Sequence, residues 1–239
     1  MEPHAVILAG GQGTRLRPYT TTLPKPLVPI GDECAILEIV LRQLAHAGFR
    51  RATLAIGHLG ELIMAYVGNG EQWGLQVDYA TETQPLGTMG PVVGMLDRLP
   101  ERFLVLNGDI LTDMRYGDLL ERHERSGAPM TIATYQRDVT IDFGIIEESA
   151  GEVVAFHEKP TLHYSVSMGV YALSRETLED YPAGQPLGFD RLVLDLLAGG
   201  KPPAVFPVDG YWLDIGRPDD YDRANMEFAA LRDRLLPAD

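Results

Sequence analysis

A glycine-rich run followed by basic residues is the segment of this sequence best suited to chemistry. Residues 8–18 read LAGGQGTRLRP, and PKP follows at residues 24–26. Glycine tolerates positive φ and has no Cβ, so the backbone N–H groups of such a turn can approach phosphate oxygens. Arg15 offers bidentate contact with phosphate, and Lys25 adds a compact charge whose backbone is restricted by the prolines beside it. The pattern GxG alone is as typical of a simple turn as of a phosphate site, but the full run predicts a polyphosphate site.

Two other phosphate motifs do not fit this run. A P-loop requires GxxxxGK[ST], which the chain lacks, and the dinucleotide fingerprint requires a third glycine or alanine where Leu16 stands. A dinucleotide fold also places an acidic residue at the end of its second strand, whereas the segment ATLAIG is followed by His58. The sequence therefore argues against an NAD(P)-dependent reductase.

Two aspartates in separate motifs are candidate metal ligands. Asp109 follows the apolar run FLVLNG, and in open α/β sheets ligands bind beyond the carboxyl ends of the strands. Asp214 lies far along the chain in WLDIG. Taken separately, each aspartate is more typical of a turn or a helix cap. Mg²⁺ prefers one or two carboxylates together with waters and substrate phosphates, so the two aspartates converging on a triphosphate would form a plausible site.

These motifs together resemble the signature of the sugar nucleotidyltransferase family, which includes the hexose-1-phosphate thymidylyl-, uridylyl-, adenylyl- and guanylyltransferases. After LAGGQGTRLRP and PKP, four further family motifs appear in the family's order: PLGT at Pro85, NGD at Asn107, EKP at Glu158 and WLDIG at Trp212. The resemblance covers nearly the whole chain. It implies a Mg²⁺-dependent enzyme that joins a nucleoside triphosphate to a sugar 1-phosphate and releases pyrophosphate.

The resemblance also implies a role for individual residues. It assigns catalysis to Arg15, Lys25 and Asp109, and Mg²⁺ binding to Asp109 and Asp214. It assigns nucleotide binding to Leu8, Gly10, Gly11, Gly13, Thr14, Arg15, Gln84, Gly87 and Thr88. It assigns sugar-phosphate binding to Asn107, Gly144, Glu158, Lys159, Ser167 and Gly169. From the residues alone, a Glu-Lys pair such as 158–159 is more typical of a surface ion pair, and Gly144 is equally typical of a strand start or a bulge.

The motifs define the identity of the base and of the sugar less closely than they define the reaction. PLGT followed after one residue by Gly-Pro is similar to the guanylyltransferase branch, including mannose- and heptose-1-phosphate enzymes, which favours GTP over UTP, dTTP or ATP. Met89 departs from the small residue expected between the two motifs. Residues 167–169 read Ser-Met-Gly where guanylyl- and heptose-type members usually read Asn-Ala-Gly, so the sugar stays open. A catalytically silent nucleotide-sugar sensor is the alternative, and the intact aspartates and lysines argue against it.

Bulk composition excludes several other classes. The chain has 239 residues, a formal net charge of −14 and 45% hydrophobic residues, which is typical of a soluble globular protein whose surface repels nucleic acid. Cys34 is the single cysteine, so a disulfide framework is excluded and a reducing cytoplasm is favoured. We expect neither a signal peptide nor a membrane span, since the apolar runs are too short. A homodimer or homotetramer is usual in the family that the motifs resemble.

Apolar runs alternate with segments of helical period, and this alternation predicts the elements that position the motifs. Strands are expected from Ala5 to Ala9, at ATLAIG, at LQVDYAT and at FLVLNGD, with helices between them at AILEIVLRQLAHAG, which stops at Gly48, at 61–67 and from Pro91. Beyond Tyr116, closely spaced strand-like runs predict antiparallel or mixed strands, followed by a helix at 189–197, the strand AVFPV and a final helix at 219–235.

This pattern predicts an α/β fold of one domain: a Rossmann-like, doubly wound, mostly parallel mixed sheet flanked by helices, of the GT-A-like nucleotidyltransferase type that the resemblance implies. We expect residues 1–239 to form the nucleotidyltransferase domain, with a nucleotide-binding half at about 1–115 and a sugar-phosphate-binding half at 116–239. Since the chain ends soon after the last predicted helix, we also expect a monofunctional enzyme.

Overall fold

The computed structural model describes residues 2–236 and has one central sheet with helices on both faces. Its strands are β1 His4–Ala9, β2 Pro29–Ile30, β3 Cys34–Ala35, β4 Arg51–Ile56, β5 Gln76–Thr81, β6 Arg102–Asn107, β7 Ile110–Thr112, β8 Met130–Thr140, β9 Ile145–Ser149, β10 Glu152–His157, β11 Thr161–Ser174, β12 Ala204–Val208 and β13 Trp212–Asp214. Its α-helices are α1 Ile36–His46, α2 Gly60–Val67, α3 Gly90–Val93, α4 Tyr116–Ser126, α5 Phe189–Ala198 and α6 Pro218–Leu235.

The central sheet has seven strands in the order β12-β8-β11-β6-β1-β4-β5. β1 pairs in parallel with β4 and β6, β4 with β5, and β12 with β8, while β11 is antiparallel to both of its neighbours. The predicted single-domain α/β fold with a mostly parallel mixed sheet is therefore confirmed. Among residues 2–236, no helix is both long and apolar enough to cross a lipid bilayer.

The middle strands are apolar along their whole length because both faces of the sheet are covered. In β6, Phe103 and Val105 pack into the core on the side of α3 and α5, whereas Leu104 and Leu106 pack into the core on the side of α1 and α4. Successive side chains of a strand point to opposite faces, so a continuous apolar run fits a strand buried on both sides. A third cluster, which includes Leu16 and Phe228, joins α6 to the segment that carries Arg15.

Three local predictions differ from the structure. The helix expected from Pro91 is short, since α3 ends at Val93 and a separate 3-10 turn covers Leu96–Arg98 after Gly94. Helix α4 was not predicted, although Tyr116, Leu119 and His123 form its buried face. One of the closely spaced strand-like runs predicted beyond Tyr116, VSMGVYAL, belongs to a longer strand, because β11 begins at Thr161 and pairs with β8 over most of its length.

Candidate active site

Lys25 lies between the two aspartates of the candidate metal site. Its Nζ is 2.5 Å from Oδ2 of Asp109 and 3.8 Å from Oδ1 of Asp214. The residue is only 8% exposed and begins a 3-10 turn that Pro24 precedes and Pro26 continues. Proline fixes φ near −65°, so the two rings restrict the backbone that carries the ammonium group. One fixed cation therefore faces two carboxylates that are distant in the sequence.

A short antiparallel ladder brings these two carboxylates together. β6 runs to Asn107, and Asp109 follows immediately before β7. β7 pairs with β13 so that Ile110 lies opposite Asp214, and the Ile215 N–H donates to the Asp109 carbonyl at 3.3 Å. Asp214 thus reaches the end of β6 through backbone pairing.

The electrostatics of this pair suit a divalent cation. The Asp214 side chain is 46% exposed, but the protein atoms around it partly desolvate the carboxyl group, and this desolvation and next the neighbouring Asp109 carboxylate raise the pKa of Asp214 above its ordinary value. Oδ1 of Asp109 is buried without a hydrogen-bond partner, and such an acceptor is costly unless a cation or water meets it. Among residues 2–236, no cluster of three or more His, Cys, Asp or Glu side chains forms a metal cage. Two carboxylates are nevertheless sufficient for Mg²⁺, which otherwise takes waters and phosphate oxygens.

The glycine-rich segment borders the same place. A cavity of about 190 Å³ is lined by Leu8, Ala9, Gly11, Gly13, Thr14, Arg15, Lys25, Pro26, Asp109 and Gly216. Gly13 has φ of 61°, and a Cβ there would lie 3.0 Å from Cγ2 of Thr20, whose hydroxyl donates to the Gly13 carbonyl at 2.7 Å. Glycine is thus required by both conformation and space at this position. The predicted loop, the lysine and Asp109 share one small polar cavity.

A larger cavity continues from Asp109 past the first glycines of the loop. Its volume is about 690 Å³, and its lining includes Leu8, Gly10, Gly11, Gln84, Gly87, Thr88, Asn107 and Asp109. Gly87 has φ of 74°, and a Cβ there would lie 2.7 Å from the Leu187 carbonyl, so close packing excludes a side chain. The hydroxyl of Thr88 accepts the Phe189 N–H at 2.8 Å, which ties the PLGT turn to the start of α5. This volume lies within the range of small-molecule sites, about 300–1,000 Å³.

Six lining residues of this cavity were not among the predicted site residues: Gln12, Gly57, His58, Glu82, Thr83 and Pro85. Glu82 directly follows β5, and its Oε2 accepts the Leu86 N–H at 3.3 Å. Burial raises the pKa of this carboxyl group. Its position just after a parallel strand is the signal that could have identified it, since ligands bind at such strand ends.

Asn107, Ser167 and Gly169 form a second group beside the large cavity. Gly169 has φ of 75°, and a Cβ there would lie 2.5 Å from Nδ2 of Asn107. The Ser167 hydroxyl donates to the Tyr171 hydroxyl at 3.3 Å. Met168, between them, is 1% exposed, and its carbonyl accepts the Trp212 indole N–H at 3.0 Å. The bulky side chain that departs from the family pattern therefore fills the core.

The remaining predicted residues, Gly144, Glu158 and Lys159, lie together on an arm of the sheet. The arm is formed by the outer parts of β8 and β11, which pair from Thr134 opposite Ser167 to Thr140 opposite Thr161. At roughly 3.3 Å per residue, this paired stretch is about 20 Å long. A Cβ at Gly144 would lie 3.4 Å from Oε2 of Glu158, so these two residues are neighbours. Lys159 is exposed, with φ of 42°. These residues lie outside the two cavities just described.

Comparison with known proteins identifies the class to which this fold and site belong. The model of the family described as "Nucleotidyl transferase" matches residues 4–230. The chain is a member of the nucleotidyl transferase family.

Individual relatives refine the comparison. The chain is 32% identical over 224 residues to the mannose-1-phosphate guanylyltransferase catalytic subunit beta of Dictyostelium discoideum, and 34% identical over 226 residues to a mannose-1-phosphate guanyltransferase of Schizosaccharomyces pombe. Each match covers 91% of this chain and 62% of the relative, so the chain spans less than two thirds of the length of these proteins.

Solved structures resemble the chain over nearly its whole length. HddC from Yersinia pseudotuberculosis, solved in complex with GMP-PN, has a TM-score of 0.74 and 27% identity, and the match covers 95% of this chain and 99% of HddC. A putative glucose-1-phosphate thymidylyltransferase from Bacillus anthracis also has a TM-score of 0.74, with 21% identity, and the match covers 93% of this chain and 94% of that one. At that identity it supports the fold alone.

Proposed function

We propose that this protein transfers a nucleoside monophosphate from a nucleoside triphosphate, preferentially GTP, to a sugar 1-phosphate, with release of pyrophosphate. The observation that carries the proposal is the position of the Lys25 ammonium group, 2.5 Å from Asp109 and 3.8 Å from Asp214, beside a glycine-rich loop. A fixed cation and two carboxylates next to a phosphate-sized cavity suit a reaction in which charge builds up on phosphoryl oxygens.

The reaction needs no covalent enzyme intermediate. A phosphate oxygen of the sugar 1-phosphate attacks the α-phosphorus in line, a new P–O bond forms, and the bond from the α-phosphorus to the bridging oxygen breaks as pyrophosphate leaves. Because the nucleophile is already anionic, catalysis depends on positioning and charge neutralisation rather than on a general base.

The residues of the candidate site divide this work. Lys25 stabilises the α-phosphate, while Arg15 and the backbone from Gly10 to Thr14 hold the phosphates that leave. Asp109 and Asp214 would hold Mg²⁺, which when bound neutralises charge on the phosphates. The orphan Oδ1 of Asp109 supports this metal role.

We assign the nucleoside to the cavity of about 690 Å³, whose lining residues all fall between Leu8 and Asp109, in the half of the chain expected to bind nucleotide. The Glu82 carboxylate and the backbone near Gly87 are the groups available to read a base edge, and guanine presents two N–H donors that a carboxylate can accept. The names of the mannose-1-phosphate guanylyltransferase relatives and the GMP-PN complex of HddC support GTP.

We assign binding of the acceptor, a hexose or heptose 1-phosphate, to the half of the chain at 116–239. Asn107, at the end of β6, would contact the sugar together with Ser167, Gly169, Gly144 and Glu158 of that half. Lys159 has the charge needed for the acceptor phosphate, and its φ of 42° is the kind of local strain that accompanies functional positions. The expected homodimer or homotetramer and the cytoplasmic location stay predictions.

A substrate grid tests the proposal. GTP, UTP, dTTP and ATP are each combined with mannose, glucose and heptose 1-phosphates in the presence of Mg²⁺, and pyrophosphate release is measured. We expect the highest rate with GTP and a mannose or heptose 1-phosphate, and a fall of at least about a hundredfold in Asp109→Asn with the fold retained. No pyrophosphate release from any pair would refute the reaction and leave the nucleotide-sugar sensor as the function.

A further inference from the structure

A third cavity lies beside Asp214 and is unusually rich in arginine. Its volume is about 670 Å³, and four guanidinium groups line it, those of Arg15, Arg137, Arg217 and Arg223. The protein has a formal net charge of −14, so a local excess of cations departs from the rest of the surface. We call this cavity the arginine pocket.

Three acidic residues, Asp138, Asp214 and Asp220, also line the arginine pocket, and each has another partner. Asp138 is hydrogen-bonded to His163 at 2.6 Å, Asp214 lies 3.8 Å from Lys25 and also interacts with Arg15, and Oδ2 of Asp220 accepts the backbone N–H groups of Gly216 and Arg217. Arg223 is paired with Glu227 at 2.9 Å. Within residues 2–236, the other three arginines have no carboxylate within ion-pair distance. Free guanidinium groups converging on one cavity are suited to a phosphate-bearing ligand.

The arginine pocket is continuous with the cavity of the glycine-rich loop. Arg15 and Gly216 line both of them. A chain of phosphates held by the loop at Gly13 and Arg15 can therefore extend past Asp214 into the arginine pocket. The nucleoside cavity shares no lining residue with the arginine pocket, so the pocket lies at the phosphate end of a bound nucleotide.

The arginine pocket is separate from the group expected to contact the acceptor sugar. Ser167 pairs directly with Thr134, so the two side chains share one face of the arm. Tyr135, the next residue, projects from the opposite face, where its ring lies 5.5 Å from that of Trp212. Tyr135 and Trp212 both line the arginine pocket. Gln136 and Asp138 also line the pocket, so it borders both faces of the arm, but Asn107, Ser167 and Gly169 are not among its lining residues.

We propose that the arginine pocket is a polyphosphate-binding site, and that it receives the pyrophosphate set free when the bond to the α-phosphorus breaks. This inference rests on the proposed function. Arg15 holds the pyrophosphate as it leaves, and Arg137 and Arg217 take over its outer oxygens before it reaches solvent. Either the terminal phosphates of a bound nucleotide or free pyrophosphate presents the required chemistry.

Two single variants and a matched control test the pocket. Arg137→Gln lies on β8 and Arg217→Gln lies just before α6, so the two changes affect different elements. Arg122→Gln is the control, because Arg122 is exposed on α4, has no ion pair with a described residue and lies outside the pocket. Thermal unfolding of all variants establishes that the fold is retained.

Calorimetric titration with Mg²⁺-pyrophosphate, Mg²⁺-GTP and orthophosphate is the measurement. We expect Kd for pyrophosphate to rise about tenfold in each single variant, the effect of losing one charge-assisted hydrogen bond, and to stay within about twofold in the control. A loss of affinity for pyrophosphate alone assigns the arginines to the departing product. An equal loss of affinity for GTP assigns them to the terminal phosphates of the nucleotide. Unchanged affinity for both in both variants overturns the proposal.

Pyrophosphate binding tests the arginine pocket and turnover tests the proposed reaction, so the failure of one proposal can be distinguished from the failure of the other. If no substrate pair gives turnover but Arg137→Gln and Arg217→Gln weaken pyrophosphate binding, the pocket stands and the reaction is wrong. If turnover is observed but pyrophosphate binds all variants alike, the reaction stands and the pocket is wrong. An equal rise of Kd for orthophosphate and pyrophosphate would also overturn a specific polyphosphate site, since a general attraction of anions does not discriminate between them.

Discussion

Replacing Lys25 by methionine should separate catalysis from metal binding. Nζ of Lys25 lies 2.5 Å and 3.8 Å from the carboxylates that would bind Mg²⁺, so the ammonium group and the metal repel one another. Two unit charges about 4 Å apart interact by about 1 kcal/mol in water and about 4 kcal/mol near a protein surface. Because the Asp214 side chain is 46% exposed, we take the lower part of this range, about 1–2 kcal/mol.

The two expected effects of Lys25→Met are opposite in direction. Metal affinity should rise by roughly five- to thirtyfold, which corresponds to about 1–2 kcal/mol. Turnover should fall by roughly a hundred- to a thousandfold, because one fixed donor to the transition state is lost. Calorimetry with Mg²⁺ measures the first effect, and pyrophosphate release at saturating substrates measures the second.

The chain offers a matched control for this substitution. Lys201 is one of three lysines in the sequence, and it is exposed in the segment after α5. Lys201→Met removes the same charge and should leave both metal affinity and turnover unchanged. Weaker metal binding in Lys25→Met, or turnover within tenfold of the native rate, would refute the role assigned to Lys25.

Three further outcomes follow from the site and the core. Asp214→Asn should raise the Tm of the metal-free protein at neutral pH, since burial and Asp109 raise the pKa of Asp214 and disfavour its charged form; it should also abolish stabilisation by Mg²⁺, and an unchanged or lower metal-free Tm would contradict the electrostatic argument. Burial lowers the pKa of His4 and of His123 to about 4, so the folded state prefers neutral rings. That stability is complete above pH 6.5 and is lost as pH falls towards 4, by about 3 kcal/mol for each ring, as urea unfolding at several pH values would measure. A His4→Gln variant with the same acid sensitivity would contradict this assignment. Gly169→Ala should raise the KM for the sugar 1-phosphate, because φ is 75° and the added Cβ would displace Asn107; an unchanged KM would exclude both residues from the acceptor site.

Elements with a strong apolar pattern were predictable from the sequence. The buried middle strands are continuous apolar runs, and α1 presents Ile36, Ile39, Val40 and Leu44 on one face, as its spacing predicts. Helix α4 was missed because its sequence is largely charged and contains Gly117, so tertiary packing of Tyr116, Leu119 and His123 outweighs a weak local pattern.

The candidate site was predictable in its motifs but not in its spatial details. The order of the motifs indicated that Asp109, Asp214 and Lys25 belong together, and the structure brings them to one point. The β7–β13 pairing that accomplishes this involves strands of three residues, which are too short for a period-two pattern to be recognised. The length of the β8–β11 arm was also not predictable, because register depends on long-range pairing.

The pairing of β7 with β13 also has a consequence for biosynthesis. On the ribosome, the chain emerges from its N-terminus, so the loop, Lys25 and Asp109 can begin to fold while residue 214 is still within the exit tunnel. β13, which lies about a hundred positions after β7, must then pair with it and close a long loop. Because loop closure lowers chain entropy, we expect this step to be slow. A nascent polypeptide therefore acquires the second carboxylate of the proposed Mg²⁺ site only when most of the sheet has assembled.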